Sequence, residues 1–236
     1  MRAARLAAAA AAAAPLLALA TANPVRAQPA RAPIVVELFQ SQGCSSCPPA
    51  NAYVNGIAGR PDVIALSFAV TYWDSLGWKD IFASPAFTDR QRAYADASGH
   101  AEVYTPEVVV NGRHDVVGSN PVALARALAQ GASDAAAASV SLTGDRVVVG
   151  AGRTAQPADV WLVRYDPSTI QVRITRGEND GRTLPHRNIV RQLIHLGTWN
   201  GTAASFAVPS APAPGLLSAA LVQTAHGGPI LAAARG

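Results

Sequence analysis

Cys44 and Cys47 are the only two thiols in 236 residues, and they stand as a CxxC pair inside SQGCSSCPPANAY. A structural disulfide, a metal site and reversible thiol–disulfide exchange can all use thiols at that spacing. As a staple the pair is poorly placed. A bond closing so short a loop constrains the unfolded chain by only about 2 kcal/mol, against roughly 4.7 for a hundred-residue loop. A closed zinc site wants four ligands, and His100, His114, His186, His195 and His226 stand at no recognisable ligand spacing. Exchange is favoured by the flanks. IVVELF (34–39) is an unbroken β-prone run, as expected of a buried strand. Pro48-Pro49 suits the first turn of a short helix over ANAYVNGIAG, where missing N–H groups cost nothing. Strand, CxxC and helix together place Cys44 near a helix N-terminus, whose N–H groups and dipole favour a thiolate. Cys44 therefore reads as the nucleophile, and Cys47, one turn inside, as the resolving thiol.

The segments that must position this pair follow in order. DVIALSFAV (62–70) is a second hydrophobic strand. SPAFTDRQRAYADASG (84–99) opens on Ser84-Pro85 and closes on Gly99, which predicts a helix. YTPEVVVNGRHDVVG (104–118) predicts a strand, an Asn-Gly hairpin turn and a partner strand, and NPVALARALAQ (120–130) an amphipathic helix.

Thr105-Pro106 followed by EVVVNGR, downstream of strand-CxxC-helix, resembles the thioredoxins. That resemblance implies a thioredoxin-like α/β domain, a mixed sheet flanked by helices, with a cis Thr105–Pro106 bond lying against the cysteine pair and Thr105 and Pro106 holding the partner's backbone. SQGCSSCPPA, YWDSLGWKD, RQRAY, YTPEVVVNG, RGENDGRTL and NIVR narrow the likeness to a secreted bacterial family of unknown function with a thioredoxin-like fold, of the DUF1223 type. The family offers no established substrate. Gly43 stands where thioredoxins have Trp, and Ser45-Ser46 replace Gly-Pro, so no redox potential carries over.

Glu37, in the middle of IVVELF, is the candidate proton acceptor. If buried beside the pair, desolvation would raise its pKa and let it take the Cys47 proton. It sits one residue away from the thioredoxin acid, which could instead turn it to the opposite face. TYWDSLGWKDIFASP (71–85) is an insertion at the carboxyl end of the second strand, the end where sites form in parallel sheets. Trp73, Asp74 and Trp78 are the candidate substrate-binding residues there. The alternative is a local mini-core closing the end of the sheet.

From residue 140 on the texture changes to strand-like runs, among them ADVWLVRYD, TIQVRITRG and NIVRQLIHLGTW. They predict a smaller antiparallel, sandwich-like β domain. The expected division is a signal peptide over 1–27, a thioredoxin-like domain over 28–131, a linker over 132–139 and the β-rich domain over 140–236. RGENDGRTLPHRN (176–188), with Arg176, Glu178, Arg182 and Arg187, reads as a solvated loop or as a docking edge for the first domain or a partner.

The first residues carry Arg2 and Arg5, an apolar Ala-rich run and small residues before Ala27, the pattern of a secretory signal peptide. Pro15 and the Ala-rich composition make a membrane anchor a poor alternative. Losing Arg2, Arg5 and Arg26 with the signal takes the formal charge from +4 to +1, which argues against nucleic acid as a partner. The expectation is a periplasmic or secreted thiol–disulfide oxidoreductase without stable membrane insertion. It would act on protein or small-molecule thiols and disulfides without a cofactor, and a separate redox partner would reset it. The alternatives are a soft-metal carrier taking cuprous copper on the two thiols, and a non-catalytic binding module whose CxxC is a permanent staple.

Overall fold

β1 (Ile34–Gln40) and β2 (Val63–Ala69) lie side by side and parallel, in register from Ile34 opposite Val63 to Gln40 opposite Ala69. Every residue of both strands is buried. That is why they read as continuous hydrophobic runs without alternation. The computed structural model describes residues 32–132 and 136–236; the expected signal peptide and residues 133–135 of the expected linker lie outside the described residues.

α1 (Pro48–Ile57) crosses from β1 to β2, and α2 (Pro85–Ser98) ends on Gly99 at φ 73°, the left-handed conformation that glycine adopts without a steric cost. β3 (Glu107–Val110) runs antiparallel to β1, turns through Asn111 and Gly112, both at positive φ, and returns as β4 (His114–Val117). α3 (Pro121–Gly131) is capped by Asn120, whose side chain accepts from the Ala123 N–H. Along β1 the pleat sends Val36 and Leu38 to one face, where they pack with Ala50 and Val54 of α1 and Leu124 of α3. Val35 and Phe39 go to the other, with Phe87 and Tyr94 of α2.

The second half supplies β5 (Val140–Thr143), β6 (Arg146–Val149), β7 (Ala158–Arg173), β8 (Thr183–Trp199), β9 (Ala204–Ala207), β10 (Leu217–Thr224) and β11 (Ile230–Arg235). β5, β6 and β9 form a small antiparallel sheet. It packs through Val147 and Val149 onto Val160, Trp199, Ala220 and Val222. The other four strands join the first half in one eight-stranded mixed sheet, ordered β11-β10-β7-β8-β2-β1-β3-β4.

The fold is thus mixed α/β with a large mixed sheet and a smaller antiparallel one, but the seam expected at 132–139 does not separate two cores. β8 is bonded to β2 at Ser67 and Ile189, and one hydrophobic cluster unites Val35, Phe39, Leu66 and Phe68 with Val163, Tyr165, Leu221 and Ala233. The described residues form one compact unit. The physical reason is the exposed β2 edge and the open side of the α2 face, which the first half by itself would leave bare. β7 also runs through Pro167, where two separate strands were expected. A register shift between Asp166 and Thr169 accommodates the proline.

Candidate functional site

Cys44 and Cys47 are joined as a disulfide, with sulfurs 2.15 Å apart and Cα atoms 5.4 Å apart. The pair lies where the chain leaves β1 and enters α1, and Cys47 is the N-cap residue of that helix. Pro48 and Pro49 occupy its first positions, so the first N–H the helix can offer is that of Ala50, and a Cys44 thiolate loses two of the expected donors. Both cysteines are fully buried, whereas Ser45 and Ser46 between them are exposed. Behind the pair, Gln40 Nε2, Gln42 Nε2 and Asn51 Oδ1 are buried without a protein partner.

The Thr105–Pro106 bond is cis. Because Glu107 pairs with Phe39, Pro106 comes to the same end of the sheet at which β1 delivers the cysteines. Pro106 also lies close to Gly118, which in turn sits against Ala50 at the start of α1.

The 71–82 insertion is built around the CxxC loop. Trp73 donates its Nε1–H to Thr105 Oγ1 at 2.7 Å, and Trp78 donates to Gln42 Oε1 at 2.8 Å. Gly43 sits between these segments, with Trp73 Cβ and Trp78 O within 4 Å of where its own Cβ would be. Asp74 accepts the Asp80 N–H, and buried Asp80 accepts the N–H groups of Gln42 and Phe82. Burial pushes the Asp80 carboxyl up to about 6, and its hydrogen bonds only partly offset this. The side chains of Trp73, Asp74 and Trp78, the candidate substrate-binding residues, hold the loops around the pair in place through hydrogen bonds.

Glu37 does not face the cysteines. It shares the pleat of Val35 and Phe39, on the α2 side. There both its oxygens bind the buried Arg90, Nε to Oε1 at 2.7 Å and Nη2 to Oε2 at 3.0 Å, and Tyr94 donates its hydroxyl to Oε2. Burial works against the Arg90 charge, but Glu37 and Tyr94 more than offset it and hold its pKa above the ordinary value. The expected role of Glu37 as acceptor of the Cys47 proton is therefore corrected. Shifting one residue along a strand reverses the face, and Leu38 holds the cysteine side.

The CxxC loop is also contacted from the second half, while Cys44 Sγ itself lies 3.4 Å from Ser46 Oγ. β7 and β8 form a long hairpin whose tip, residues 174–182, reaches the CxxC loop. Asn179 Nδ2 donates to the backbone carbonyls of Gln42 and Cys44, both at 2.9 Å. Glu178 Oε2 accepts from the Ser45 N–H at 3.1 Å and the Ser45 hydroxyl at 2.7 Å. These hydrogen bonds, the hydroxyl's first, hold the Glu178 carboxyl below its usual range. Asn55 of α1 binds the Pro185 carbonyl and the Arg187 N–H, anchoring the base of the tip.

Over residues 35–223 the chain matches the family described as a protein of unknown function, DUF1223. It belongs to that family. The crystal structure of a protein from Agrobacterium tumefaciens is similar to this DUF1223 chain at 32% identity and TM-score 0.70, over 87% of this chain and 94% of that one. HBP35 of Porphyromonas gingivalis shares the fold at 15% identity and TM-score 0.60, over 87% of this chain and 75% of its own. No curated protein matched.

In this DUF1223 protein the residues that sequence reasoning missed are Gln42, Asp80 and Asn179. Glu178 belongs to the polar stretch 176–188, whose pattern does not name its target. A polar loop over 176–188 is legible, but a contact from Asn179 to Cys44 across 135 residues has no local signature.

Proposed function

We propose that this protein is an exported thiol–disulfide oxidoreductase on a thioredoxin-like framework, exchanging disulfides with protein or small-molecule thiols through Cys44 and Cys47. The observation that carries it is the placement of the joined pair. It sits at the junction of β1 and α1, at the end of the sheet where the Thr105-Pro106 loop and Trp73 converge. The order β2-β1-β3-β4, with β1 and β2 parallel and β3 and β4 antiparallel, supports the thioredoxin-like comparison. Cys44 is the attacking and Cys47 the resolving thiol, and a separate redox protein resets the pair. Export rests on the pattern of residues 1–27. Among the described residues no helix is long and apolar enough to cross a membrane.

Burial of both sulfurs favours a second reading, a binding module whose CxxC stays oxidised. A soft-metal carrier would rest on the two sulfurs alone, since no three metal-ligating side chains gather among the described residues. The test is the equilibrium reduction potential of the pair, by titration against glutathione buffers with alkylation trapping. A value above about −270 mV fits exchange, and a value below about −300 mV belongs to structural disulfides and moves the assignment to the binding module.

A further inference from the structure

We propose that the tip of the β7–β8 hairpin is a latch on the cysteine pair, held shut by Asn179 and Glu178, and that a thiol reaches Cys44 only when the tip lifts. This rests on the exchange reading above and adds its control.

Asn179 is the one buried residue in an otherwise exposed turn running from residue 175 to 183. A buried amide must find partners, and this one finds them in the CxxC loop. Both of its N–H groups are spent on the Gln42 and Cys44 carbonyls, and its Oδ1 accepts from Arg182 at 2.7 Å. Glu178 binds the next residue, Ser45, twice. The contacts therefore bracket Cys44 on both sides along the chain. Gly177 wedges against the insertion loop, where an added Cβ would stand 3.3 Å from Trp78 Cβ. Exchange requires a thiolate to attack a disulfide sulfur, yet both cysteines are fully covered. Ile174 at the base of the tip is buried with Phe82 and Leu184, but beyond it the turn meets the CxxC loop through these polar contacts, whereas the strands beneath the pair are part of the buried sheet, so residues 175–182 are the segment that can yield.

With dithiothreitol as reductant, one thiolate attacks Cys44 Sγ, the Cys44–Cys47 bond breaks, and Cys47 leaves as a thiolate that takes a proton from water. The second dithiothreitol thiolate then attacks the mixed disulfide, releases Cys44 and leaves the reductant as a cyclic disulfide. Two electrons pass from reductant to protein.

The experiment follows reduction of the oxidised mature protein against dithiothreitol concentration, by quenching with an alkylating agent. A latch makes the wild-type rate level off at the opening rate as reductant rises. Asn179→Ala should raise the rate at low reductant by about tenfold, as expected for losing two hydrogen bonds. Glu178→Gln, an exposed change that leaves folding intact, should raise it severalfold and decides the matter if Asn179→Ala fails to fold. Hydrogen exchange of the Ser45 amide, which donates to Glu178, should report the same opening rate at a pH where exchange outpaces reclosing. Equal, rapid reduction of wild type and both variants, with a potential above about −270 mV, overturns the latch and leaves exchange standing. Slow reduction of all three with a potential below about −300 mV overturns both.

Discussion

At the residue scale, the charged groups of the interior support the fold more than the chemistry. Removing one partner of the Glu37–Arg90 pair strands the other in a dry core. Glu37→Ala should therefore cost about 3–5 kcal/mol in denaturant unfolding. The pH profile of Cys44–Cys47 exchange should keep its shape in whatever fraction stays folded, because Glu37 faces α2. A changed profile would return Glu37 to the thiol chemistry. His186 is buried, packs edge-on against Phe82 and has neither ring nitrogen paired. Burial lowers its pKa from 6.5 to about 4. Between those values the unfolded chain holds the extra proton, so stability falls as pH drops from 6.5 toward 4. Asp80 and Glu107, raised by burial to about 6 and about 7, act in the opposite sense: each contributes stability in acid that is lost as pH rises through its folded value. The clean measurement is the difference between wild type and His186→Phe. Between pH 7 and pH 4 the wild type should lose about 3 kcal/mol relative to the variant.

At the element scale, glycines let the β10–β11 turn press on α2 and on the β3–β4 turn. Gly227, in the turn joining β10 to β11, has φ 74°, and an added Cβ would fall 2.2 Å from the Ala93 carbonyl oxygen on α2. Gly112, in the β3–β4 turn, has φ 62°, with Gly228 O 2.8 Å from its missing Cβ. Either position changed to Ala should destabilise the protein by about 1–3 kcal/mol, read as a lower Tm. Local patterns made these early elements readable: α1, α2, α3 and the Asn-Gly turn were legible from Pro, Asn and Gly at fixed offsets. The face of Glu37 was not, because a fully buried strand has no alternation to show which side a residue takes. The continuity of β7 through Pro167 was hidden too, since a proline in isolation reads as a strand end.

At the scale of the whole molecule, the second half completes the core of the first. Val163, Tyr165, Leu221 and Ala233 fill the cluster that Phe39 and Phe68 begin. A chain ending at residue 131, the expected edge of the thioredoxin-like part, should expose that surface. It should bind a hydrophobic dye and unfold without a cooperative transition, and a sharp thermal transition in the fragment would show that its core is independent after all. The sequence alone determined the CxxC pair, the helix flanking it and the turn signals, because these depend on residue types a few positions apart. Only the tertiary structure decided that one sheet spans both halves, that Glu37 turns to Arg90, and that Asn179 lies on Cys44. Each of those depends on which surfaces meet across long stretches of chain, where burial and hydrogen-bond satisfaction select the partner and local pattern carries no trace of it.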